Sequence, residues 1–271
     1  MNKINEKTVS NQPDSNNEKP VLFVALGRQR CGKTVLLNSL LQIYSEKGAC
    51  IDILNADTQN KTHTLSGFHK NVLSPETSNL AEQQEWIEHQ ITRLIKEKRD
   101  AILDVGGGKT AMQDLIVSFD LSGFARKVGM QLTVAYVIGP EPADLDYYTE
   151  LSKTANFKPE ACLIIFNEAL VYGGRDPKKS FTAILKEPVI LKAIEEGAEL
   201  SFMPALPCMK DITDRKQLFK DYADGKPVSG FLESSPFDQM RTETWLNRDM
   251  SKFFSSFPRQ WLPRLPEGVT L

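Results

Sequence analysis

The sequence predicts an α/β fold of three layers, a mostly parallel central sheet flanked by helices. Three observations carry this. Short apolar runs alternate with stretches of helical period along most of the chain. The first run, Val21–Leu26, is apolar at every position, as a strand buried on both faces must be. A glycine-containing loop and then a helical pattern follow it, the order of a phosphate-binding unit.

Residues 1–19 carry Asn, Ser, Lys and Glu and no aromatic side chain. Such a stretch buries too little surface to offset its ordering entropy, so a disordered tail is expected. Leu36, Leu37, Leu40, Leu41 and Tyr44 share one helical face and predict a helix over 34–47, stopped by Gly48. A second strand is expected at 50–54. A long helix is expected over 79–98, opened by the capping pair Asn79 and Glu82. Further strands are expected at 101–105, 132–138, 162–166 and 200–203, and a late helix over 211–222. The main domain is thus expected to span 20–230, with an aromatic-rich extension over 231–271.

Composition narrows the function. Lys and Arg number 33 against 35 Asp and Glu, a net charge of −2 over 271 residues, so the whole chain is no polycation that coats DNA. No run of about 18 uncharged apolar residues suits a membrane span. The four cysteines, Cys31, Cys50, Cys162 and Cys208, form no CxxC pair, and the N-terminus shows no signal pattern. A reduced, cytoplasmic setting is expected. His63, His69 and His89 lack metal-binding spacing and read as surface or packing residues.

Gly27-Arg28-Gln29-Arg30-Cys31-Gly32-Lys33-Thr34 matches G-x-x-x-x-G-K-[ST] between a strand and a helix. The glycines let the backbone curl so that its N–H groups face phosphate oxygens, and the helix start adds its dipole. Residues 27–35, through Val35, are therefore the expected nucleotide-binding set. Lys33 brings charge to the β and γ phosphates, and the Thr34 hydroxyl ligates Mg²⁺. ATP and Mg²⁺ are the implied cofactors of a P-loop NTPase. Gly106-Gly107-Gly108-Lys109-Thr110 also ends in GKT, but its spacing fails and it reads as a glycine-rich turn. Cys31 is a small residue that fits the loop or, beside positive charge, a redox-sensitive thiol.

Two carboxylates complete the set. Asp104 ends an apolar strand, where a Mg²⁺-associated acid belongs. Asp57 follows the second strand and either orients the attacking water or holds a metal-bound one; a capping or turn role is the other reading.

At these residues the chain resembles the ParA/MinD family of P-loop ATPases over about 21–210. Lys33 and Thr34 match its phosphate loop, Asp57 and Gln59 match the second Asp and the Gln of its DxDPQ stretch, and Asp104 matches its strand-end Asp. Asn167 resembles the Asn that contacts adenine, and 203–207 the loop bordering the base. Arg28 and Gln29 replace the signature lysine and a glycine, and Asn55 replaces the first Asp. The resemblance implies slow ATP hydrolysis with Lys33, Asp57 and Arg28 as catalytic residues, and Mg²⁺ at Thr34, Asp57 and Asp104. It also implies an ATP-dependent homodimer in which Arg28 reaches the partner's phosphates; the alternative is that the replaced lysine marks a chain without that dimer. The degenerate loop and the insert over 181–197 are similar to the StbB/TraL/MobD type, which implies partitioning or positioning of plasmid DNA or a conjugation complex. DNA would be bound nonspecifically or through a DNA-bound partner. An ATP-dependent small-molecule kinase or ligase, using Lys109 and Asp114, and a nucleotide-binding scaffold with little hydrolysis remain the alternatives. Phe166-Asn167-Glu168-Ala169 is not a guanine motif.

The tail over 249–265 interleaves Phe253, Phe254, Phe257 and Trp261 with Lys252, Arg259 and Arg264. Three readings stand: packing on the core, partner docking, or membrane-surface contact, against which Pro258 and Pro263 weigh by breaking a long helix.

Overall fold

The computed structural model describes residues 19–57, 64–107, 110–154 and 157–271. The expected disordered tail lies outside these residues but for Lys19, as do Gln59, His63 and Lys109. Strand β1 (Val21–Leu26) leads through the glycine loop to α1 (Lys33–Glu46) and β2 (Ile51–Asn55). A two-residue strand, β3 (Val72–Leu73), then α2 (Leu80–Glu97) and β4 (Asp100–Asp104) follow. Helices α3 (Ala111–Ser118) and α4 (Leu121–Val128) lead to β5 (Gln131–Ile138), α5 (Asp146–Ser152) and β6 (Ala161–Asn167). Helices α6 (Pro177–Ser180) and α7 (Pro188–Glu195) precede β7 (Glu199–Met203). After α8 (Met209–Arg215), α9 (Phe219–Ala223) and α10 (Pro236–Thr244), a π-helical stretch Trp245–Met250 runs into α11 (Ser251–Ser255).

The seven strands form one sheet in the order β3-β2-β4-β1-β5-β6-β7, parallel at every pairing. Strand alternation explains the unbroken apolar run of β1. Leu22, Val24 and Leu26 join the core beneath α2, α3, α5 and α7, while Val21, Phe23 and Ala25 join the core beneath α1. All six are buried, and each large side chain among them contributes about 1.5–3 kcal/mol. The Asn79 side chain accepts from Ala81 N at 2.9 Å and Glu82 N at 3.3 Å, which starts α2 as the sequence predicts.

The single helix expected over 211–222 is instead two. Lys216 takes a left-handed backbone (φ 51°) that closes α8, and Gln217 N returns to Ile212 O at 3.2 Å. The buried Gln217 amide then donates to Lys226 O at 2.8 Å, a distant anchor that fixes the break.

The extension is built into the α1 face. Trp245, Leu246, Met250, Phe253, Phe254 and Phe257 are buried there. Trp245 Nε1 donates to Pro204 O at 2.8 Å, and Thr133 Oγ1 donates to Trp261 O at 2.6 Å. The aromatic stripe of the tail is thus largely spent on the core. Among the described residues no helix is long and apolar enough to cross a membrane.

Candidate nucleotide-binding site

Strands β1, β2, β4, β5 and β6 deliver their last residues to one end of the sheet, the end where parallel α/β sheets hold ligands. The loop after β1 lies at its centre. Gly27 has φ 141°, and a Cβ there would fall 2.5 Å from Val137 O. Gly32 has φ 106°, and a Cβ there would fall 2.4 Å from Asn167 Nδ2. Arg30, between them, is left-handed at φ 62° without being glycine, a strained setting of the kind found at ligand clamps. These backbone angles curl the loop.

Lys33 is the first residue of α1 and is only 6% exposed. Its Nζ bridges the loop, donating to Gly27 O at 3.0 Å and Arg28 O at 2.9 Å. Both bonds are made to the loop itself, and among the described residues no carboxylate pairs with this charge. Val35 is the third residue of the helix, partly buried against the core. Arg28, Gln29 and Arg30 are exposed.

Thr34 Oγ1 donates to Asp104 Oδ2 at 2.8 Å. Asp104 is 1% exposed, and its Oδ1 has no hydrogen-bond partner. Burial pushes the carboxyl up to about 6, against the Thr34 hydrogen bond and the Lys33 charge, which hold it down. A hydroxyl and an orphaned carboxylate oxygen beside a phosphate loop fit Mg²⁺, which takes one or two protein oxygens and completes its shell with phosphate and water. Among the described residues no three His, Cys, Asp or Glu side chains gather to hold a metal, so any ion here would rest on few protein oxygens.

Asn55 and Asp104 are neighbours in register, and Ala56 N donates to Asp104 O at 2.8 Å. The buried Asn55 Oδ1 accepts from Asp57 N at 3.2 Å, a turn that fixes the Asp57 backbone. A Cβ on Gly106 would lie 3.2 Å from Asp57 Oδ1, and one on Gly107 would lie 2.1 Å from Gln29 N. The loop after β4 therefore fits between Asp57 and the phosphate loop because it is glycine.

Asn167 ends β6, and its amide is buried against the loop. Nδ2 donates to Cys31 O at 2.7 Å and Oδ1 accepts from Ala169 N at 3.0 Å. As placed, the side chain braces the phosphate loop from behind. Asn167→Ala is expected to cost about 1–2 kcal/mol by leaving the Cys31 carbonyl without its donor; a urea titration showing no change in midpoint would contradict this brace. Cys31 itself is buried, and burial pushes its thiol up, which works against thiolate chemistry.

One residue was not legible in the sequence. Asp144 stands beyond β5, and its Oδ1 accepts from Arg28 Nη1 at 3.1 Å. Its Oδ2 accepts from Glu141 N at 3.2 Å, and a Cβ on Gly139 would sit 2.3 Å from that oxygen. Arg28 is thus held inside its own chain. The only sequence signal is the acid at the end of Pro140-Glu141-Pro142-Ala143-Asp144, a capping pattern.

No family model matches the sequence, and no curated protein matches it. Among solved structures the chain is similar to the MinD cell division protein of Aquifex aeolicus, at 15% identity over 83% of this chain and 95% of that chain, with a TM-score of 0.44. It is similar to a chain of the MinC:MinD cell division protein complex of Aquifex aeolicus, at 15% identity over 91% of this chain and 99% of that one, TM-score 0.47. It is also similar to the cell division protein FtsY of Thermotoga maritima, at 11% identity over 85% of this chain and 70% of that one, TM-score 0.41.

Proposed function

We propose that the chain is a Mg·ATP-driven switch ATPase, similar to the ParA/MinD family, that partitions or positions plasmid DNA or a conjugation complex in the cytoplasm. The observation that supports it best is the Thr34–Asp104 pair, with one carboxylate oxygen orphaned beside Lys33. Mg²⁺ bound there would neutralise charge on the β and γ phosphates. Lys33 turns from its two loop carbonyls to the phosphates. Thr34 and Asp104 would hold the ion, and Asp57, its backbone fixed by Asn55, lies across the glycine loop where a water would be oriented. Catalysis is electrostatic positioning, and hydrolysis is slow.

Dimerisation turns on Arg28. Asp144 holds it, so reaching a partner's phosphates requires breaking a 3.1 Å half-exposed ion pair, a contact worth about 1 kcal/mol or less. The expected result is a dimer by light scattering with a non-hydrolysable ATP analogue and Mg²⁺, a monomer with ADP, and loss of the dimer in Arg28→Ala with analogue binding retained. The ATP-loaded dimer is expected to retain DNA, directly or through a DNA-bound partner. A chain that stays monomeric in every nucleotide state and releases no phosphate overturns the switch.

A further inference from the structure

The opposite end of the sheet carries a second opening. Beneath the N-terminal edges of β1 and β4 lies a cleft of about 820 Å³, walled by Pro20, Lys98, Asp100 and the stretch 264–269 of the tail. A cavity of about 290 Å³ shares its Lys19, Arg259 and Arg264 walls. Parallel sheets hold their ligands where strands finish, not where they begin. The cleft exists because the tail folds under the sheet.

Its charges divide into two groups. Asp100 is buried and fully engaged, accepting from Val21 N at 2.9 Å, Arg264 N at 2.5 Å and Arg264 Nε at 3.0 Å. Arg264 also donates to Lys98 O at 2.6 Å. That pair ties the tail to β4. Arg259 is different. Its guanidinium lies over the Tyr44 ring at 5.8 Å, and Nη1 donates to Leu262 O at 3.3 Å and Pro263 O at 2.5 Å. Among the described residues neither Arg259, Lys98 nor Lys19 pairs with a carboxylate. The Tyr44 hydroxyl beneath Arg259 is buried with no hydrogen-bond partner. With Asp100 answered by Arg264, the three remaining cations face one acid, Glu267.

A guanidinium oriented by stacking and carbonyl bonds, with its other donors unspent, is a preset fork for a tetrahedral oxyanion. We propose that this basal cleft binds a phosphate group, with Arg259 as the anchor and Lys98 and Lys19 closing on it. The group belongs either to a small phosphorylated molecule or to the backbone of a nucleic acid; the recognition chemistry is the same. The site is separate from the phosphate loop and stands or falls without it.

The test uses the full chain carrying Lys33→Ala, which weakens the phosphate loop. Pyrophosphate and a short single-stranded oligonucleotide are titrated calorimetrically at two salt concentrations. Salt-sensitive binding of either is expected, weakened at least about tenfold by Lys98→Asn and by Arg259→Gln. Lys98 is exposed, and Asn tolerates its left-handed backbone (φ 51°), so that variant keeps the test sound if Arg259→Gln loosens the tail. Pyrophosphate alone binding assigns a small phosphorylated ligand, and the oligonucleotide alone assigns a nucleic-acid backbone. Binding of neither, or binding indifferent to both basal substitutions, overturns the proposal.

Discussion

Lys33→Ala is expected to lower the affinity for Mg·ATP by at least about a hundredfold, while the melting temperature stays within about 2 °C of the parent. The two effects separate because of what the amine touches. Its partners are two loop carbonyls, Gly27 O and Arg28 O, and removing the long side chain opens a polar space at the loop where water can answer both. Ala at the first position of α1 does not oppose the helix. Against phosphate the same amine exchanges two neutral carbonyl acceptors for oxygens that carry full negative charge, and a hundredfold requires that exchange to gain about 2.7 kcal/mol. A fluorescent ATP analogue titrated into both proteins, beside a calorimetric scan, measures both quantities. Equal affinities would remove the curled loop from the functional account. A large drop in melting temperature would show that the lysine holds the loop together and that lost binding reports unfolding.

Much of the sheet was legible because its strands are buried on both faces. Val21–Leu26 is observed over the residues expected, and β5 and β6 extend the expected runs by one or two residues. A fully covered strand leaves a continuous apolar signature that needs no periodicity. Strand β3 left none, since two residues cannot carry a pattern. The break at Lys216 was hidden for another reason. Its left-handed backbone is held by the Gln217 contact to Lys226, and neither glycine nor proline marks it. The tail was legible in part. Pro258 and Pro263 predict a broken helix, but nothing local says that the chain then passes under the sheet to Asp100.

The site divides the same way. Lys33, Thr34 and Asp104 are marked by short spacing and by a strand end, both local features. The Arg28–Asp144 and Asn167–Cys31 contacts join residues 116 and 136 positions apart, and only the sheet order brings them together. Asn55 reads as a departure in the sequence. In the fold it has a definite task, holding the turn that places Asp57.

Asp104→Asn is expected to relieve a burial penalty at neutral and higher pH and to harm the function. The native carboxyl is pushed up to about 6 by burial, whereas in the unfolded chain it titrates near about 3.9. Between those values the native state holds a proton that the unfolded state has released. Parental stability attributable to this group is therefore highest at acid pH, falls as pH rises from about 4, and levels off above about 7. Holding that proton up to about 6 rather than about 4 corresponds to about 3 kcal/mol. Asn does not titrate, so the melting temperature of the variant minus that of the parent should climb across this window by several degrees. The absolute offset is smaller, because a buried amide NH₂ without an acceptor costs about 1–3 kcal/mol; the slope with pH is the diagnostic quantity. Magnesium nucleotide should reverse the order. The parent gains stability by binding, and the variant, lacking the orphaned oxygen, gains little that depends on the metal. Scans from pH 4 to pH 8, with and without Mg·ATP, read both effects. If the two proteins tracked each other across pH, the carboxylate would be solvated in the native chain, and its free oxygen would no longer argue for a cation. If the pH slope appeared without the magnesium effect, the group would be a buried acid with no metal to hold.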